Sequence, residues 1–204
     1  MKKNNERLRG IFARLDRLDY IKPEQIPNID LYMDQVTTFM DEHLEKSKRY
    51  PEDKVLTKTM INNYAKNNLL PPPIKKKYSR EHMLLLIFIY YFKNILSFND
   101  IETLFHPITE DHFMDPSKLS LQDIYEEIFS LEKEQMKQLK EDLIRRFRTS
   151  QEVFTEQEED DKEYLQLFAF ICALGFDVYM KKQTMELLID QIREEFPADR
   201  KKKK

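Results

Sequence analysis

Apolar positions recur at three- and four-residue spacing along most of the chain, the period of helices packed on one face. Leu8, Ile11, Phe12, Leu15 and Leu18 make the first stripe, over residues 4–18. A connector holding Pro23 and Pro27 follows. Asn28 or Asp30 then predicts the cap of a helix to about Lys46, burying Leu31, Val36, Phe39, Met40 and Leu44. After a loop at Pro51, Thr57 predicts an N-cap for a helix over 58–68 with Met60, Ile61 and Tyr64 on its buried side. Asn68 suits a left-handed helix end, and Pro71, Pro72 and Pro73 force an extended segment through to Tyr78. Ser79 predicts the cap of a helix over 80–95 whose middle, 83–92, is apolar on nearly all sides and so enclosed by neighbours. Ser97 and Asp100 imitate a capping box that starts a short helix to Phe105.

The second half repeats one theme. Leu121, Ile124, Tyr125, Ile128 and Phe129 form one stripe, and Met136, Leu139, Leu143, Ile144 and Phe147 form the next. A run of acids over 156–163 reads as a solvated loop and helix start. A long apolar helix over 164–182 follows, then an amphipathic one with Met185, Leu188, Ile189 and Ile192 that stops before Pro197. Four helices of this kind predict a self-sufficient bundle. The expected class is therefore all-α. Its divisions are an N-terminal helix and connector (1–29), a first domain (30–106), a linker (107–118), a C-terminal helical domain (119–197) that dimerises or senses an effector, and a basic tail (198–204).

Composition supports helices and narrows the chemistry. Only Gly10 and Gly175 are glycine, which leaves little for phosphate-cradling loops. With 41% hydrophobic and 35% charged residues, the chain is neither fibrous nor wholly disordered. Cys172 is the single cysteine, so no internal disulfide forms, and a core position is expected for it. The polar N-terminus lacks the apolar core of a signal peptide. The apolar run 83–92 is too short to span a bilayer, and Gln166 and Asp177 interrupt the run 164–180. Both runs are expected to be buried helix, in a cytoplasmic protein without a membrane partner.

Charge changes the picture more. The formal net charge is −3, yet Lys54, Lys58, Lys66, Lys75, Lys76, Lys77 and Arg80 fall within 54–80, where no acid occurs. A surface made only for solubility mixes signs, whereas a basic island is the footprint of a phosphate binder. No Gly-rich phosphate loop, G-x-S-x-G, H-E-x-x-H or Cys/His cluster is present, and the carboxylates lie along helix surfaces. His43, His82, His106 and His112 are too scattered for a ligand set. Neither catalysis, a metal nor a cofactor is expected.

Helix, loop, polar-faced helix, proline-rich segment and Tyr-Ser cap is the order of a winged helix–turn–helix. The residues 61–72, Ile-Asn-Asn-Tyr-Ala-Lys-Asn-Asn-Leu-Leu-Pro-Pro, followed by Lys75-Lys76-Lys77-Tyr78-Ser79-Arg80-Glu81-His82, resemble the motif and wing of MerR-type regulators. The step Leu96-Ser97-Phe98-Asn99-Asp100-Ile101 looks like that family's next helix start. More closely still, Met60-Ile61-Asn62-Asn63-Tyr64 and the stretch from Pro71 to His82 resemble the bacterial family called domain of unknown function 1836, the YkrK-like proteins, itself regarded as MerR-like. The resemblance covers about residues 30–106. It implies a sequence-specific transcriptional regulator of double-stranded DNA. Its expected contacts are Lys58, Thr59, Asn62, Asn63, Tyr64, Lys66, Lys75, Lys76, Lys77, Tyr78 and Arg80, with Asn62, Asn63 and Lys66 reading bases and the wing lysines holding phosphates. The family's Arg-Tyr-Tyr falls on Asn62, Asn63 and Tyr64 here, its helix-ending Gly is Asn68, and the wing is short. One such domain touches few base pairs, so a homodimer is expected, with a small-molecule effector left open. The alternative reading is a non-catalytic helical interaction module whose basic segment docks an acidic partner.

Overall fold

Residues 82–89 are buried without a break, and the rest of their unit is arranged around them. The computed structural model describes residues 2–18, 20–113 and 119–197. It is mostly helical: α1 (Lys2–Leu15), α2 (Met33–His43), α3 (Lys58–Lys66), α4 (Arg80–Phe92), α5 (Phe98–Asp111), α6 (Leu121–Ser130), α7 (Glu132–Ser150) and α8 (Glu159–Glu195). A two-residue strand, β1 (Leu31–Tyr32), pairs antiparallel with β2 (Lys77–Tyr78).

The chain divides into two compact units. The larger comprises 17–129 and the chain from Glu186 onward. Its axis is α4, whose run from Met83 to Ile89 is apolar on every side because neighbours enclose it. Buried partners come from α2 (Val36, Phe39, Met40), α3 (Ile61, Tyr64), α5 (Ile101, Phe105) and α6 (Leu121, Tyr125). Phe88 of α4 stacks among Phe105, Tyr125 and Phe129, with centroids 5.4–5.9 Å apart. The buried Tyr125 hydroxyl donates to the Ile21 carbonyl at 2.6 Å, which satisfies the one polar atom its ring brings into the core. On the last turns of α8, Ile189 is buried and Arg193 bonds Asp100 at 3.1 Å.

The smaller unit joins residues up to Asp16 with 130–185. Its core is Leu143 and Phe147 of α7 against Phe170 of α8, with Leu8, Phe12 and Leu15 of α1 packed on it. Arg7–Glu163 (2.6 Å) and Arg146–Asp177 (3.1 Å) tie the helices at the rim. Gln166 is buried and donates to the carbonyls of Gln151 and Val153, which holds down the loop before α8.

Several expectations are corrected. The linker 107–118 begins inside α5, which runs through Pro107 to Asp111. Proline removes one backbone bond, but Thr109 donates to the His106 carbonyl and the His112 N–H bonds the Ile108 carbonyl, so the turn holds. Residues 114–118, and the basic tail 198–204, lie outside the described residues. The expected four-helix bundle over 119–197 does not form as such: α6 packs in the larger unit, and α1 takes its place beside α7 and α8. The two helices expected over 164–182 and beyond 185 are one 37-residue helix, since residues 181–184 contain no Gly or Pro to end it.

The run 164–180 is buried on one side only. Tyr164, Phe168, Ile171, Phe176, Val178 and Tyr179 stand half to two-thirds exposed, and Cys172 is exposed rather than in a core. By length and composition the segment Asp161–Glu195 is long and apolar enough to cross a membrane. Gly175 stands mid-helix with nothing near its missing Cβ, at a cost to helix stability of about 1 kcal/mol relative to Ala.

Candidate nucleic-acid interface

Local chemistry fixes both ends of α3. The Thr57 hydroxyl accepts from the Met60 N–H at 3.2 Å, as the sequence predicted. At the other end Asn68 is left-handed (φ 58°), the Leu69 N–H reaches the Tyr64 carbonyl at 2.9 Å, and the Asn68 N–H reaches that of Ala65. This is a Schellman ending, and the two residues whose side chains such an ending brings near each other, Tyr64 and Leu69, are both buried.

Between those ends, Ile61 and Tyr64 are buried on one side. Lys58, Thr59, Asn62, Asn63 and Lys66 are all exposed, and at 100° per residue they fall within an arc of about 140° on the other side. Lys58 is ion-paired with Asp34 of α2. No ion pair engages Lys66 among the described residues, so that end of the face is uncompensated.

Leu69 and Leu70 are buried and anchor the chain as it leaves α3. The segment 71–78 is not extended throughout, as expected, but folds back on itself. Ile74 and Lys77 exchange both backbone bonds, at 3.1 and 2.9 Å, across a two-residue turn. Lys75 (φ 51°) and Lys76 (φ 65°) are both left-handed, which makes this a type I′ hairpin turn. The reversal lets β2 reach β1, with Leu31 opposite Tyr78 on the buried side and Tyr32 opposite Lys77 on the open side. The Lys77 ammonium lies 5.3 Å from the Tyr32 ring centre. Asn-Gly is the usual choice for such a turn. Two lysines there accept strain of about 1 kcal/mol or more each, so their charge at the tip has no conformational explanation.

Beneath the hairpin sits His82, 1% exposed, between the edges of Tyr78 and Phe113. Its Nδ1 accepts from the Ser79 N–H at 3.0 Å, completing a capping box, so the proton of the neutral ring belongs on Nε2. Burial lowers its pKa below the ordinary histidine value, opposed by the Pro72 carbonyl and the charge of Glu81. The unfolded chain therefore takes up a proton before the folded one does, and stability rises with pH across that window. Wild-type unfolding free energy should fall as pH drops below about 6.5, and level off beneath the folded-state value. In His82→Asn this component should vanish; parallel pH curves from urea unfolding would refute it.

The structure sorts the sequence-predicted contacts. Thr59, Asn62, Asn63, Lys66, Lys75 and Lys76 stand open to solvent, with Lys58 beside them and Lys77 half-buried over Tyr32. Tyr64 and Tyr78 are 2% and 3% exposed and belong to the core, so they are removed from the contact set. Arg80 turns inward and donates to the Pro23 carbonyl at 2.6 Å, bracing the connector. Sequence reasoning missed Tyr32, because a two-residue strand is too short for alternation to register. It also missed Lys93, whose ammonium donates to the Val55 carbonyl and pins the loop ahead of α3. Among the described residues, no group of three His, Cys, Asp or Glu is placed to hold a metal ion.

A family model described as a domain of unknown function (DUF1836) matches residues 21–128. No curated protein matches, and no solved structure matches.

Proposed function

The chain belongs to the DUF1836 family, and because its matched span includes all of α3 and the hairpin, we propose that this segment is a MerR-like winged helix–turn–helix that binds double-stranded DNA. On this reading the protein is a non-catalytic, cytoplasmic, homodimeric transcriptional regulator. The observation that carries it is the face of α3: five polar or basic side chains open to solvent, opposite two buried anchors, in a stretch without acids from 54 to 80. Asn62 and Asn63 offer the paired donor and acceptor that suit adenine edges in the major groove. Lys66 reads beside them, and the hairpin lysines neutralise phosphates, which positions the helix without reading sequence.

The test is selection from a random duplex library at about 100 mM and about 300 mM salt, with sequencing of the bound pool. An enriched two-fold symmetric sequence is the expected result. Salt-sensitive retention without enrichment removes sequence specificity, and no retention at either salt hands the basic segment to an acidic protein partner. Within the enriched site, Asn62→Ala should relax preference at one base pair, by about 1–3 kcal/mol of discrimination, with little change in salt slope. An unaltered preference would remove Asn62 from the reading set.

A further inference from the structure

A groove of about 340 Å³ runs along the solvent side of α2. Its floor is Pro27, Leu31 and Phe39, and its rim carries the exposed carboxylates of Asp34 and Glu42. The floor is firmly seated. The His43 ring lies against Phe39, 4.1 Å between centres, and its Nδ1–H donates to the Phe39 carbonyl at 3.0 Å. Gln35 accepts the Tyr32 N–H with its amide oxygen at 2.9 Å, which ties its side chain to the start of the helix.

Charge around the groove has one sign. Glu24, Asp30, Asp34, Asp41, Glu42 and Glu45 fall within 23–45, where no Lys or Arg occurs. The small domain thus sets an acidic stretch against the acid-free stretch 54–80. An acidic face repels phosphate, so neither nucleic acid nor an anionic lipid surface suits the groove. A cation with an apolar body does. Asp34 and Glu42 are eight residues apart, about 12 Å along the helix axis, so one small cation does not meet both. A helix laid along α2 meets both with two basic side chains two turns apart, and seats the apolar ones between them on the floor.

The two rim carboxylates differ. No ion pair engages Glu42 among the described residues, whereas Asp34 pairs with Lys58 at the start of α3. That pair joins the groove to the polar face of α3. A cation arriving at Asp34 competes with Lys58, and a released Lys58 has its charge free for phosphate. We propose that the α2 groove docks a basic amphipathic helix of a partner protein, and that docking strengthens DNA binding by releasing Lys58 from Asp34. The docking site stands by itself; the coupling rests on the DNA-binding reading of α3. By linkage the effect is reciprocal, and DNA tightens the docked helix by the same factor.

The full chain and two synthetic helices test it. One is an alanine-rich peptide with two arginines two turns apart and two leucines between them on one face. Its twin carries citrulline, neutral and of the same shape, in place of both arginines. Titrated without DNA and followed by amide NMR, the arginine peptide should shift Leu31, Thr38 and Phe39, and the twin should bind about tenfold more weakly. Glu42→Gln should weaken the arginine peptide about three- to fivefold and leave DNA affinity unchanged. With saturating arginine peptide, duplex DNA should bind the wild type about three- to fivefold more tightly, the worth of one surface ion pair. Asp34→Asn should give that gain without peptide, and the peptide should then add nothing. A wild type that binds neither peptide, or both equally, overturns the docking site. An equal peptide-driven gain in Asp34→Asn is the peptide acting on the DNA, and overturns the coupling. Peptide binding by a chain that binds no DNA removes the DNA reading and the coupling together, and upholds the groove.

Discussion

Replacing Leu86 by Ala should cost about 4 kcal/mol of unfolding free energy, in the upper part of the range for fully buried leucines. Leu86 is wholly buried in the middle of α4, and the residues before and after it in that helix are also closed from solvent. A cavity there is closed from solvent on every side within a densely packed core, so little collapse can fill it. Small domains carry only about 5–15 kcal/mol in all, so the variant should sit near the edge of folding. Urea unfolding of wild type and variant reads the loss. A cost below about 1.5 kcal/mol would mean that α4 yields where the packing says it cannot.

The same helix explains why the candidate interface is stable enough to act. Ser79 and His82 start α4 and seat the hairpin, Arg80 braces the connector, and Leu69 and Leu70 fix the end of α3. Their functional groups are engaged within the protein: the Arg80 guanidinium on the Pro23 carbonyl, and the Ser79 hydroxyl on Glu81. They hold Asn62, Asn63 and the lysines on a rigid base, and the exposed residues contribute little to the fold.

How much of this was legible beforehand depended on range. Thr57, Asn68 and Ser97 act within three or four residues of themselves, and the structure has them as the sequence implied. The enclosed helix over 83–92 was equally plain, since no other arrangement accommodates an apolar surface all round. What escaped were matters of partnership. Apolar residues over 164–180 signalled burial, but composition does not say which faces of a helix the rest of the chain covers. Tyr78 lay within a motif of contacts, and only packing revealed that its ring serves the core, as the spacing in α3 had already implied for Tyr64. Pro107 signalled a break, and side-chain bonding around it prevented one. For the interface, the basic island was visible in full, whereas the left-handed turn that presents Lys75 and Lys76 was not: lysine is a poor predictor of positive φ.

Changing Lys75, Lys76 and Lys77 together to Ala should lower affinity for every DNA sequence and flatten its salt dependence. Each phosphate neutralised contributes about 0.9 to the slope of log affinity against log salt, so three contacts account for a slope change of about 2.7. At about 0.1 M salt the same relation gives a loss of two to three decades, shrinking as salt rises. Lys77 spends part of its charge on the Tyr32 ring, so a slope change nearer 2 would identify Lys75 and Lys76 as the contacts. Structure and charge are separable here. Lys75→Asn with Lys76→Gly installs the residues a type I′ turn prefers, which should stabilise the hairpin while removing two charges. Affinity should then fall although the fold gains. If it rises with stability, or if the triple variant keeps the wild-type slope, the hairpin holds no phosphate and the strain at its tip serves some other contact.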